Sequence, residues 1–387
     1  MAVAAAAICG AASPEYQARR EVLRKAFPEA VIVLRGGIES AQDVEGARSR
    51  FFQEPNFYYL TGWTEPGARL LIDAHREILF LPAHDAEREK WTGPRPAASD
   101  RGIEEASGFD TVLPLDRYDV ELDGIAAPVE GSAVEKALAH FRMKKSAAEI
   151  ALIQRSIEAT EAAHRAAWKR AAAGMYEYQV ASLMASVYLD RGCERSAYAP
   201  IVGAGPDAVY LHYDRNTRRL EHGELLLMDV GAECAGYAAD VTRTIPVDGR
   251  FTKRQRELYE IVLGAQKAAI AAVKPGMTIG RNTPNSIHKP ALDYLNAHGK
   301  DLRGAPLGQY FTHGISHHIG LEVHDAADVV APLEEGMVIS VEPGLYIPEE
   351  QIGIRIEDMV LVTRDGARLL TAALPREAAE IEKAMGR

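Results

Sequence analysis

Residues 220–231 read LEHGELLLMDVG, and residues 333–344 read LEEGMVISVEPG. Laid over each other without a gap, the two stretches put Asp229 on Glu342. Each runs from a charged turn into an apolar, strand-like run and ends on a carboxylate two residues before a glycine. A histidine with an aspartate near it precedes each copy: His212-Tyr-Asp214 before the first, His324-Asp325 before the second. A further carboxylate follows each inside another apolar stretch, Asp240 in GYAADVTRT and Glu357 in IGIRIEDMV. The duplication predicts two pseudo-symmetric lobes that each deliver two carboxylates to one metal centre.

The elements around the repeat follow the same order twice. Ser146-Ala-Ala-Glu149 is a capping-box pattern that opens a helix carrying Ile150, Ile153, Ile157, Ala163 and Trp168. A second helix over about 176–191 follows the Gly174 break, and strands are expected in AYAPIVGAG, ELLLMDVG and YAADVTRTI. A helix over 253–273 then stops at Lys274-Pro275-Gly276, and another over about 285–298 follows. Strands MVISVEP and IGIRIEDMVLV close the chain. Residues 146–387 therefore read as one duplicated α/β (α+β) domain, an antiparallel curved sheet with helices on its outer face.

Residues 1–140 read as a smaller α/β domain, with the boundary near 136–146. A helix is expected over 15–30, and strands in VIVLRG, FYYLTGW and ARLLIDAHREILFLP. EREKWTGPRPAASDRG, rich in Pro, Gly and charge, reads as a loop. Trp63 and Trp91 read as packing residues, with shaping the mouth of the site as the alternative. GAGP at 203–206 reads as a turn, because Pro206 prevents a dinucleotide fingerprint. Ser316 beside His317 lacks the G-x-S-x-G context of a nucleophilic serine.

At 387 residues the chain is long enough for two domains. Acidic residues outnumber basic ones, 55 to 44, for a formal charge of −11, which argues against nucleic acid as a partner. No apolar run approaches the roughly 20 residues a membrane span needs. Cys9, Cys193 and Cys234 are odd in number and far apart, so the sequence indicates neither a thiolate zinc site nor a disulfide framework. That usage predicts a reducing, cytoplasmic location. The start, MAVAAAAICGAAS, lacks a basic n-region and reads as a frayed terminus rather than a trimmed export signal.

Four carboxylates at the ends of apolar strands need an explanation, since a buried carboxylate costs several kcal/mol unless paired, hydrogen-bonded or metal-bound. Arg243 and Arg355 are near enough in sequence to pair with one each. The set of four points instead to a cation, without which mutual repulsion would neutralise them. In a hairpin, Asp229 and Asp240 could face each other across the ladder. The segment 313–325, HGISHHIGLEVHD, adds four histidines. If it is extended, His317 and His318 point opposite ways, and His318 is the bystander. Four carboxylates and one histidine are an oxygen-rich set that suits Mn²⁺, with Co²⁺, Fe²⁺ or Zn²⁺ as alternatives. Four exceed the needs of one catalytic zinc, so two metals fit better. A water shared by them would lose its proton near neutral pH and act as nucleophile.

On IVGAGPDAVYLHY (201–213), LLLMDVGAECAGYAADVTRTIPVDGRFT (225–252), HGISHHIGLEVHD (313–325), SVEPGLYI (340–347) and GIRIEDMVLV (353–362), the chain resembles the M24 metallopeptidases of the pita-bread fold. It is most similar to their Xaa-Pro aminopeptidase (aminopeptidase P) branch, whose N-terminal domain RFFQEPNFYYLTGWTEPGARLLI (50–72) also resembles. The resemblance implies metal ligands at Asp229, Asp240, His317, Glu342 and Glu357. In its terms Asp229 chelates one ion, His317 and Glu342 bind the other, and Asp240 and Glu357 bridge. It implies supporting roles for His212, His313, His324 and Arg355. His324 would contact the scissile amide and share in proton transfer, and His212 and His313 would hold substrate and the tetrahedral intermediate. Arg355 would orient its neighbours or contact substrate, and Glu342 would shuttle the proton.

The implied reaction removes the N-terminal residue from peptides with proline second, by attack of a hydroxide bridging two divalent ions, in a homodimer or homotetramer. A prolidase (Xaa-Pro dipeptidase) is the nearest alternative. Methionine aminopeptidase is disfavoured by the N-terminal domain; a creatinase-like hydrolase or an inactive binding relative is disfavoured by the intact ligand set. Two departures stand out: His318, where a larger or apolar residue is usual, and the short stretch 346–353. Both bear on specificity rather than on metal chemistry.

Overall fold

The apolar runs of the repeat form hairpins, and the geometry of these hairpins positions everything that follows. A computed structural model describes residues 12–39, 50–125 and 127–386. These fall into two compact units, within 1–139 and 140–387. The first contains strands β1 (Ile32–Arg35), β2 (Arg69–Ile72), β3 (Glu77–Leu81) and β4 (Thr111–Pro114), in that order in one sheet. β1, β2 and β3 pair antiparallel, and β4 joins β3 in parallel. The start of the chain, including Cys9 and the stretch read as a frayed terminus, lies outside the described residues apart from Ala12 and Ser13.

The second unit carries eleven strands among its described residues. β5 (Arg195–Ser196), β8 (Ala232–Cys234) and β9 (Tyr237–Ala238) form a small sheet. β6 (Ile201–Ala204), β7 (Leu225–Val230) and β10 (Val241–Pro246) form the sheet of the first half, with β7 central. β11 (Val338–Val341), β14 (Asp358–Thr363) and β15 (Gly366–Leu369) form that of the second half, and β12 (Gly344–Ile347) pairs with β13 (Ile352–Arg355). Hydrogen bonds to backbone carbonyls join the halves. Glu357 N donates to Thr242 O at 3.1 Å. Thr244 Oγ1 donates to Arg355 O at 3.0 Å. Beyond β11, Ser340 N and Glu342 N donate to His317 O and Ile315 O, so the histidine segment lies alongside it.

Each half is backed by a helix that supplies polar groups to the irregular strand ends. Ala147–Arg170, capped by the predicted box of Ser146 and Glu149, packs against β8, β9 and β10. Its Ser156, Thr160 and His164 bond to the backbone of Tyr237, Ala232 and Val241. Lys253–Ala272 packs against β11, and its Gln266 donates to the carbonyls of Val341 and Ile356. These bonds satisfy buried backbone groups that leave the regular ladder, which would otherwise be costly.

Several expectations need correction. FYYLTGW is a helix, Pro55–Thr61, not a strand. Glu54 caps its first turn, Pro55 fits the first position, and Gly62 closes it at φ 64°, which outweighs the strand preference of its aromatics. Part of EREKWTGPRPAASDRG is the helix Ala86–Thr92, capped by Asp85. Trp63 is buried as expected, but Trp91 is 85% exposed and packs no core. IGIRIEDMVLV is two strands broken at Ile356-Glu357. Cys193, in the segment leading into β5, and Cys234, the last residue of β8, form a disulfide where β5 pairs with β8. That bond removes the support cysteine usage gave to a reducing compartment. Among the described residues, no helix is long and apolar enough to cross a membrane.

Candidate metal centre

Asp229 is the fifth residue of β7, and Asp240 directly precedes β10. The ladder sets Asp229 opposite Thr242 rather than Asp240, so the two carboxylates do not form a cross-strand pair. They meet because Asp240 lies two residues before Thr242, which keeps both side chains on one face. Gly231 permits this approach: a Cβ there would lie 1.7 Å from Ala239 O. Glu342 follows β11 directly, and Glu357 directly precedes β14. The pairing of Val341 with Asp358, continued one residue, sets Glu357 opposite Glu342.

All five expected ligands line one cavity of about 540 Å³, with His212, His313, His324, Arg355 and Tyr198. His317 Nε2 lies 3.3 Å from Asp240 Oδ2, 3.4 Å from Glu342 Oε1 and 4.0 Å from Glu357 Oε1. His317 Nδ1 donates to the carbonyl of His318 at 3.2 Å, which aims Nε2 at the carboxylates. His318 is buried and does not line the cavity, as expected of the bystander. Of the two candidate arginines, Arg355 pairs with Asp229 at 2.5 Å, whereas Arg243 turns to Asp358 behind the sheet.

The electrostatics divide the carboxylates. Burial alone would raise Asp229, but the Arg355 guanidinium and the Tyr198 hydroxyl hold it below its usual range. Asp240 is raised by burial and by the Asp229 charge. Glu342 is raised by burial to about 7, despite the attraction of His317 and Arg355. Glu357 is raised further by burial and by the charges of Asp240 and Glu342. His317 runs the other way: Asp240 and Glu342 overcome its burial and lift it to about 9. Anions raising one another's pKa is the pattern of a site that a cation would relieve.

The donor set fits divalent metal. One ligand atom each from Asp240, His317 and Glu357 lies within 4.8 Å of the others. Glu357 Oε1 is buried and lacks any hydrogen-bond partner, while its other oxygen accepts from Thr242 Oγ1 at 2.7 Å. An orphaned carboxylate oxygen facing an imidazole nitrogen and a second carboxylate is a vacant donor for a metal ion.

Around this cluster, His313 Nε2 lies 2.8 Å from the Tyr346 hydroxyl, to which Arg355 Nη1 also donates at 2.8 Å. Burial and the nearby Arg355 push His313 down to about 3, so its ring is neutral. His324 packs edge-on against His317, 4.4 Å between centroids, and burial and that neighbour lower it too. His212 is exposed at the cavity. Two residues escaped the sequence reading. Tyr346 lay inside a quoted motif, SVEPGLYI, but nothing in that motif marks a phenol as the link between His313 and Arg355. Tyr198 bonds Asp229 Oδ1 at 2.5 Å and also Asp240 Oδ1. Only the β5–β8 pairing brings it there.

The chain also matches known proteins over most of its length. Residues 151–364 match the metallopeptidase family M24, and residues 16–134 match the aminopeptidase P N-terminal domain. An Xaa-Pro aminopeptidase of Haemophilus influenzae is 35% identical over 96% of this chain and 97% of its own. An Xaa-Pro dipeptidase of Pyrococcus horikoshii is 32% identical over 82% of this chain and 91% of its own. The solved proline aminopeptidase P II of Yersinia pestis superposes with a TM-score of 0.85 at 30% identity, covering 96% of this chain and 99% of that one. The chain belongs to metallopeptidase family M24 and has the pita-bread fold.

Proposed function

We propose that this metallopeptidase is an Xaa-Pro aminopeptidase, which releases the N-terminal residue of peptides whose second residue is proline. The observation that carries the reading is the convergence of four carboxylates and His317 in one cavity, with Glu357 Oε1 left unpartnered. The name of the Haemophilus relative and its near-complete overlap support aminopeptidase over dipeptidase; the dipeptidase relative overlaps less of this chain.

Asp229, Asp240, His317, Glu342 and Glu357 would hold two divalent ions, Mn²⁺ by donor type. When bound, these supply a Lewis acid for the scissile carbonyl and lower the pKa of a water. The chain's own groups do the rest. Glu342 accepts a proton from the attacking water and passes it to the proline nitrogen, which must be protonated to leave. Neutral His324 offers a ring N–H to the amide or the developing oxyanion, whereas the single N–H of neutral His313 goes to Gly314 O and its Nε2 accepts from the Tyr346 hydroxyl that faces the site. Arg355 fixes Asp229 and, through Tyr346, His313. His212 holds substrate at the open side. Assembly as a homodimer or homotetramer belongs to the same reading.

The test is cleavage of Arg-Pro-Pro and of Ala-Pro by Mn²⁺-loaded and chelator-stripped protein, with metal content measured in parallel. Metal-dependent release from the tripeptide is expected. Cleavage of the dipeptide alone would make the enzyme a prolidase; turnover of neither by metal-loaded protein would sink the reading. Glu357→Gln should lower both Mn²⁺ content and kcat, the latter by on the order of 10³-fold, as loss of a key charged group does.

A further inference from the structure

The cavity holds a fifth carboxylate that the proposed chemistry does not use. Asp214 lines it beside His212, is exposed, and has no ion pair or side-chain hydrogen bond among the described residues. Its backbone, by contrast, is fixed. The buried Asn216, at φ 51°, donates to the carbonyls of Asp214 and Pro200 at 3.0 and 2.8 Å and accepts from Val202 N at 2.9 Å. The Tyr213 hydroxyl donates to the buried Glu177 at 2.9 Å. The loop thus presents one free anion at a set place, so little ordering remains to be done when a cation binds.

Neighbouring positive charges are committed elsewhere. Arg355 is held by Asp229 and Tyr346, Arg218 by Glu224, and Arg219 by Gly174 O. Arg215 does not line the cavity. Asp214 thus brings to the open side of the cavity a carboxylate with no ion pair among the described residues. It stands on the exposed side, whereas Asp240 and Glu357 are buried at the reacting centre. A group at the rim is better placed for the end of a long side chain than for the α-amine, which stays one residue from the scissile bond.

We propose that Asp214 is a specificity-determining residue that selects peptides with a cationic first residue, Arg or Lys before proline. The inference rests on the Xaa-Pro aminopeptidase reading and adds the side-chain class. A half-exposed ion pair of this kind shifts preference by about five- to tenfold and weakens with salt.

The experiment compares kcat/KM for Arg-Pro-Pro, Ala-Pro-Pro and Glu-Pro-Pro in the Mn²⁺-loaded full chain, in wild type, Asp214→Asn and Asp214→Lys. The Arg-to-Ala ratio should fall about five- to tenfold in Asp214→Asn, mostly through KM, and Asp214→Lys should raise the Glu-to-Ala ratio. Unchanged ratios would overturn the proposal. So would an equal loss on all three peptides, which would place Asp214 on the shared α-amine or in loop structure. Wild type that cleaves none of them would overturn the aminopeptidase reading itself, and this inference with it, a result distinct from active enzyme with unaltered preference. Matching thermal unfolding of the three proteins guards against a folding artefact.

Discussion

The two halves of the repeat carry the same polar residues and treat them in opposite ways. Asp214 and Asp325 each follow a histidine upstream of a ligand strand. Asp325 is buried and held by Arg142 Nη2 at 2.5 Å and Lys145 Nζ at 2.9 Å; Asp214 is exposed and unpaired. Asp229 is held charged by Arg355, while its counterpart Glu342 is raised to about 7. The backing helix of the first half presents His164, that of the second Gln266. The disulfide lies in the first half. A duplication fixes spacing and strand order, but burial and partners then set the charge of each copied residue. Arg355 thus favours the anion at Asp229, while burial raises its counterpart Glu342.

The largest effect should come from the buried aspartate. Asp325→Ala removes the carboxylate that buried Arg142 and Lys145 share, leaving Arg142 with Glu322 and Lys145 without this partner, and a loss of about 3–5 kcal/mol in denaturant unfolding is expected. Asp214→Ala should stay within about 0.5 kcal/mol. Equal losses would erase the contrast between the two copies.

The disulfide should matter next. Its cysteines are 41 residues apart, and replacing both by serine should cost about 2–4 kcal/mol. Hydrogen exchange would locate the loss: amides of β5 and β8 should lose protection well before those of β11 and β14. Uniform loss across both halves would show that the bond does not act locally.

The smallest effect concerns pH. Burial and the Arg243 charge push His164 down to about 3, far below the ordinary 6.5. A depressed folded pKa means that the folded state resists protonation. Its stability contribution is therefore complete above about pH 6.5 and declines as pH falls towards 3, by at most about 1.4 kcal/mol per unit. His164→Gln, which can keep the bond to Val241 O, should flatten the acid-side slope in unfolding measured from pH 7 to 5 in metal-free buffer. An identical slope would mean that other groups carry the acid sensitivity. Gln266, at the matching place, does not titrate, and in the second half the depressed histidine is instead His313, pushed down to about 3.

Much of the site was legible because its determinants are local. The ligand carboxylates sit at the ends of apolar runs, where a charge is conspicuous, and the ungapped overlay of Asp229 on Glu342 tied them together. The alternation that separates His317 from His318 needs only an extended backbone. The misreadings share another cause. FYYLTGW carries strand-forming residues, but its capping residues on both sides make a short helix. Tyr198 and Tyr346 carry no local mark, since their hydroxyls find Asp229 and His313 only after distant strands pair. Cys193 and Cys234 looked unrelated because the β5–β8 pairing that joins them is not written in either segment.

The sequence by itself determined the duplicated α/β domain and the four conspicuous carboxylates, since periodicity, spacing and donor type are properties of short segments; the family and the five-ligand set came with the resemblance of its motifs. Only the tertiary structure decided which arginine meets Asp229, which aspartate is paired and which is left exposed, and which carboxylates burial raises. A pKa or an ion pair depends on the depth of burial and on the charges within a few ångströms, and those neighbours come from parts of the chain more than a hundred residues away, as Arg355 does for Asp229.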